Sequence, residues 1–168
     1  MDAFEEAKRE FIKAYDELAD SLFRHCFFKV SDREKAKDLV QETFLRTWEY
    51  LMKRGEIANL KAFLYKVANN LVIDYYRKAK DFSLDSLQEE GFDPVSSGGE
   101  EIMVQAEYAQ VTKALKSLDP KDREIIVMRF LNGLSPKEIG EILEVSENVV
   151  SVRLNRALKR LRQILGEA

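Results

Sequence analysis

"LSPKEIGEILEVSENVVSVRLNRALKRLRQIL", Leu134–Leu165, holds two helix starts and a corner between them. Ser135 and Glu138 have capping-box spacing, and Pro136 stands at the first helical position, where its missing N–H is no loss. Ser146 opens a second helix. Along it Val150, Leu154, Ala157, Leu161 and Leu165 recur at steps of three and four, a stripe to be buried. Ile139, Ile142 and Leu143 supply the face that packs against it. A different face carries Asn148, Ser151, Val152, Arg153, Asn155, Arg156 and Lys159. Amide, hydroxyl, methyl and guanidinium groups on one helix suit base edges and phosphates in a major groove. The pattern predicts a helix-turn-helix whose second helix reads duplex DNA.

The whole chain, 168 residues with net charge −3, is nevertheless acidic. The acid is concentrated. Residues 82–104 hold six acidic and no basic groups, whereas Asn148–Gln163 holds five basic and no acidic ones. Salt screens charges beyond roughly 8–10 Å, so the local sign governs a DNA contact. "DFSLDSLQEEGFDPVSSGGEE", residues 81–101, is rich in Gly, Ser and acid, the composition of a linker.

Upstream of that segment the periodicity is helical throughout. Phe4, Ala7, Phe11, Tyr15, Leu18, Leu22 and Cys26 form one stripe, and Ala36, Leu39, Val40, Phe44, Thr47 and Leu51 a second. Ser31 with Glu34 reads as the capping box of the second helix, and Gly55 as its end. Leu60, Leu64, Val67, Leu71 and Tyr75 form a third stripe. Downstream, a helix runs from about Met103 to Lys116, and another starts at Asp119-Pro120 and stops at Gly133. The expected fold is all-α: two small helical domains, 1–81 and 105–168, joined by an acidic flexible linker, 82–104, the C-terminal domain carrying the helix-turn-helix.

Three segments resemble one family in its own order. "LDPKDREIIVMRFLNGLSPKEIGEILEVSENVVSVRLNRALKRLR", residues 118–162, resembles the domain of sigma-70-family factors that reads the promoter −35 element. "DREKAKDLVQETFLRTW", residues 32–48, resembles the family's helix that binds core polymerase. "LKAFLYKVANNLVIDYYR", residues 60–77, resembles its −10-reading helix. With no other domain present, the plan is similar to that of the extracytoplasmic-function (ECF) group of bacterial sigma factors. The family usually has glycine at the corner where this chain has Glu144, so either Glu144 takes up the corner geometry or the turn differs. It often has a basic residue where Ser151 stands, and commonly one where Asn69 stands.

The resemblance implies a sigma factor that binds core RNA polymerase and directs promoter-specific initiation through −10 and −35 recognition. Polymerase would be gripped by Asp38, Gln41, Glu42, Leu45, Trp48 and Glu49. The −10 strand would meet Asn59, Lys61, Phe63, Lys66, Asn69, Asn70, Arg77 and Lys78, with asparagines on base edges, Phe63 as a stacking platform or a core ring, and the basic groups on phosphates. The −35 duplex would meet the face of the last helix that runs from Asn148 to Lys159. An anti-sigma partner, a membrane-bound one included, is implied too. The other reading is a two-part helix-turn-helix regulator that binds an operator without polymerase.

The residues themselves narrow the rest. Cys26 is the only cysteine and His25 the only histidine. No intrachain disulfide can form, and a zinc site, which takes about four ligands, cannot be assembled from one of each. No catalytic triad or P-loop pattern occurs, so the expectation is a non-enzyme with no cofactor, no metal and no small-molecule substrate. Without a signal peptide or a long apolar run it is expected to be cytoplasmic.

Overall fold

The computed structural model describes residues 2–82 and 102–166. They fall into two compact units, Met1–Glu90 and Gly91–Ala168, each all-helical among the described residues. The expected linker, apart from its outermost residues, lies outside the described residues.

The N-terminal unit packs three helices: α1 (Ala3–Val30), α2 (Arg33–Arg54) and α3 (Leu60–Phe82). All six residues of the second stripe, Ala36, Leu39, Val40, Phe44, Thr47 and Leu51, are buried, and Thr43, which the stripe leaves out, is buried with them. Buried Thr43 and Thr47 return their hydroxyls to the carbonyls of Leu39 and Thr43, so neither leaves an unmet donor. Gly55 ends α2 at φ 79°, as glycine allows.

Three local expectations need correction. Ser31 does not cap α2. It closes α1 in the left-handed region (φ 54°), and an N-cap requires extended backbone. The cap is Asp32, whose carboxylate accepts from the Lys35 N–H at 3.1 Å. On α1, Phe4 and Tyr15 stand largely exposed, so the stripe is buried only from its middle onward. On α3 the fully buried positions include Ala62, Tyr65, Ala68 and Val72 beside Leu64 and Leu71, whereas Val67 and Tyr75 are half-buried. The helix is covered from two sides, by α1 and α2, and a single stripe describes it poorly.

The C-terminal unit comprises α4 (Ile102–Lys116), α5 (Pro120–Ile126), α6 (Pro136–Leu143) and α7 (Glu147–Ile164). Helix α5 runs on into a π turn, Val127–Leu131, where the Asn132 N–H reaches back five residues to the Val127 carbonyl. Val127 and Met128 stay in the core while Phe130 and Leu131 are turned out. Asp119 occupies the cap position of α5 without a side-chain capping bond. The Arg123 guanidinium donates to the carbonyls of Leu115, Lys116 and Leu118, meeting the C-terminal end of α4. Sequence patterning gave no hint of that bond set.

The corner between α6 and α7 is as expected. Ser135 and Glu138 form both bonds of the capping box, and the Ser146 hydroxyl accepts from Val149. Glu144 takes the left-handed conformation (φ 59°, ψ 43°) that the corner demands. Ile139 and Ile142 pack with Val150, Leu154 and Ala157, whereas Leu161 is half-buried and Leu165 exposed as α7 outruns its partners.

Candidate functional site

Helix α7 presents the face from Asn148 to Lys159 to solvent because its apolar stripe is committed to the core. Asn148, Val152, Asn155, Arg156 and Lys159 are exposed, and Ser151 and Arg153 are half-buried at the flanks. Val149 is exposed as well, a position the sequence pattern passed over. Arg160 points elsewhere. Its guanidinium lies 3.7 Å from the Asp122 carboxylate and ties α7 to α5. The face therefore offers an amide and apolar surface in its first turns and cations further along.

The outer surface of α2 is set by the same logic. Asp38, Gln41, Leu45 and Glu49 are exposed, and Glu42 is half-buried, its carboxylate 2.9 Å from Arg46. Trp48 is half-buried, with its ring 5.0 Å from Phe11 and 6.1 Å from Phe4. The two α1 rings anchor it, and it keeps some exposed surface. Tyr50 and Met52, further along α2, are exposed too. Neither was singled out from the sequence.

On α3 the expected −10 residues divide. Asn59 caps the helix, its Oδ1 accepting from the Ala62 N–H at 3.0 Å. Lys61, Phe63 and Lys66 are half-buried, with the Phe63 ring 4.8 Å from Tyr50. Asn70, Arg77 and Lys78 are exposed. Lys66, Asn70, Ile73 and Arg77 follow one helical stripe, and Ile73, 48% exposed, sits in the middle of it. Asn69 is different: it is 4% exposed, and its Oδ1 accepts from the Lys29 ammonium at 2.6 Å.

Cations at one end of this unit lie on aromatic rings. The Arg33 guanidinium is 5.9 Å from both the Phe23 and Phe27 rings, and the Lys35 ammonium 5.2 Å from that of Tyr75. The remaining reactive groups are core. Burial, reinforced by Lys29, holds His25 well below the usual imidazole range, and burial pushes the Cys26 thiol up to about 12. Among the described residues no group of His, Cys, Asp and Glu could hold a metal ion, and no helix is long and apolar enough to cross a membrane.

Comparison with known proteins gives two family matches: sigma-70 region 2 over residues 14–82 and sigma-70 region 4 over residues 108–161. The ECF RNA polymerase sigma factor SigL of Mycobacterium tuberculosis is 31% identical over 154 residues, covering 91% of this chain and 87% of its own. The ECF RNA polymerase sigma factor SigW of Bacillus subtilis is 29% identical, covering 94% of this chain and 89% of its own. Among solved structures, the sigma factor RpoE in complex with the anti-sigma factor NepR, from Bartonella quintana, superposes with a TM-score of 0.70 at 24% identity, over 94% of this chain and 98% of that one.

Proposed function

The chain belongs to the ECF RNA polymerase sigma factors, and from that premise we propose how its surfaces divide the work. It is a sigma factor: it binds core RNA polymerase and directs promoter-specific initiation through −10 and −35 recognition. The outer face of α2 (Asp38, Gln41, Glu42, Leu45, Trp48, Glu49) takes the polymerase. The start and outer stripe of α3 take the −10 strand through Asn59, Lys61, Phe63, Lys66, Asn70, Arg77 and Lys78. The exposed face of α7 takes the −35 duplex.

The observation that carries this division is the pairing of faces with cores. Each of these helices commits an apolar side to the core and leaves polar or basic groups of suitable chemistry on another. A regulator acting without polymerase would leave the α2 face, with its half-held Trp48, unexplained. The factor performs no bond chemistry of its own and needs no cofactor. Its work is positioning, and melting the −10 duplex draws on captured bases, since unstacking one costs a few kcal/mol. Each DNA contact is weak alone. Holding two on one enzyme raises the effective concentration of the second, which reconciles an acidic chain with specific promoter binding. The cytoplasm is its place of action, and an anti-sigma protein that covers these faces is its regulator.

Photo-crosslinking from the assembled holoenzyme tests the division. A benzophenone side chain at position 70 should crosslink the non-template strand within −10, and one at position 152 the −35 duplex. Crosslinks of either probe to the other element would refute the assignment.

A further inference from the structure

Three hydrogen bonds join α1 to one face of α3. The Ser21 and Tyr65 hydroxyls bond to each other, the Lys29 ammonium donates to Asn69 Oδ1, and the Tyr76 hydroxyl donates to the Lys29 carbonyl. Tyr65, Asn69 and Tyr76 are spaced by four and seven residues, so they lie on one side of α3, along about 16 Å at 1.5 Å per residue. Apolar packing tolerates some rotation of a helix about its own axis. A row of directional bonds does not, because each has a narrow range of distance and angle. The exposed stripe Lys66–Asn70–Ile73–Arg77 is one residue, about 100°, round from this row, so its direction is set by the same bonds.

We propose that Lys29 is a positioning residue for −10 recognition, and that Asn69 is its buried partner and not a reader of bases. The inference rests on α3 being the −10-facing helix. Lys29 acts twice, through its ammonium on Asn69 and through its carbonyl on Tyr76, and so fixes the rotation at which Asn70 and its stripe meet the strand. It lies 40 residues before Asn69 in sequence and on another helix. Removing its ammonium leaves the Asn69 amide buried without that donor. Such groups avoid burial unmet, so α3 turns or opens locally to wet the amide. The polymerase face on α2 is not part of this row.

The test uses holoenzyme formed from the full chain and core polymerase. Open-complex formation is read by permanganate reactivity of unpaired thymines, on one promoter and its single-base −10 variants. Lys29→Met should lower open-complex formation about tenfold, the worth of a charge-assisted hydrogen bond, with equal loss on every −10 variant and unchanged co-elution with core. Lys29→Arg, which restores a donor, should recover most of it. Asn69→Leu should also lose evenly, and Lys29→Met with Asn69→Leu should be no worse than the more affected single variant, since the row is already broken. That non-additivity keeps the inference testable if one single variant folds poorly. Base preference relaxed at one −10 position by Asn69→Leu would make Asn69 a reader and overturn the inference. So would a Lys29→Met holoenzyme equal to wild type. An Asn70→Ala holoenzyme with wild-type activity and wild-type base preference on every −10 variant would overturn the −10 assignment of α3 itself, and the inference with it.

Discussion

Gly140 sits inside α6, where replacing glycine by alanine ordinarily stabilises a helix by about 0.5–1 kcal/mol. Here the sign should reverse. A Cβ at Gly140 would lie 2.7 Å from the Val145 carbonyl oxygen, 3.4 Å from the Glu147 nitrogen and 3.5 Å from the Ser146 carbonyl carbon. All three atoms are backbone of the corner that leads into α7, so no side chain can swing away. Extra methylenes forced into a packed site cost about 1–3 kcal/mol, and a rigid backbone neighbour argues for the upper part of that range. Set against the propensity gain, Gly140→Ala should destabilise the C-terminal unit by about 1–2 kcal/mol. For a unit of this size that lowers the midpoint by about 4–16 °C. Two signals separate the units: far-UV circular dichroism reports both, whereas Trp48, the only tryptophan, reports the N-terminal unit alone. The expected result is an earlier dichroism transition with an unshifted fluorescence transition. The same variant should weaken −35 binding by holoenzyme, because the corner sets the angle of α7. A dichroism midpoint that stays or rises would mean the corner yields freely, and the account of how α7 is aimed would fail.

Other outcomes follow from the same geometry. Arg156 lies in the third turn of α7, and the first turns of a reading helix enter the groove deepest, so it is expected on phosphate. Arg156→Ala should then weaken all promoters alike and reduce the salt slope by about one, and relaxed preference at a single −35 base would contradict this. Glu42→Arg with Gln41→Ala should abolish co-elution with core polymerase while helical content is kept; retained co-elution would remove α2 as the gripping face. His25 is neutral in the fold and protonates in the unfolded chain below about pH 6.5, so the unfolded state binds the extra proton and stability falls as pH drops through that value. The unfolding free energy from urea titration of Trp48 fluorescence should fall between pH 7.5 and 5.5, by at most about 1.4 kcal/mol per pH unit, and His25→Gln should flatten that slope. An equal slope in the variant would place the titration elsewhere.

What the sequence disclosed depends on the range of the interaction involved. The buried face of α2 was legible, Thr43 apart, because its buried positions recur at steps of three and four along a single stripe. The caps at Ser135 and Ser146 were legible because capping is a bond between residues three apart. Ser31 misled because serine three before glutamate fits a capping box, while the adjacent Asp32 offered an equally good cap and α1 needed Ser31 for its own closure. The π turn was hidden because Val127, Met128, Phe130 and Leu131 are all apolar, so a one-residue shift of register leaves no mark in a hydrophobicity pattern. At the candidate sites, exposure of Asn148, Val152, Asn155, Arg156 and Lys159 followed from the buried stripe opposite them. The burial of Asn69 did not, since its partner Lys29 is distant in sequence and polar residues at helical spacing look alike whether they face water or another helix. The resemblance supplied what periodicity lacked, namely an expectation of which exposed face would meet polymerase and which would meet DNA.

The most direct test is transcription in a defined mixture. Core RNA polymerase alone, and core with this chain, are given a library of promoter fragments randomised across the −35 and −10 elements, and the transcripts are sequenced. The account predicts transcripts only with the chain present, from templates that share two enriched elements at sigma-70 spacing, with enrichment at −10 altered by changes in α3 and enrichment at −35 by changes in α7. Binding of the free chain to one DNA sequence, with no transcript from any template in the presence of core, would contradict it and favour the polymerase-independent regulator.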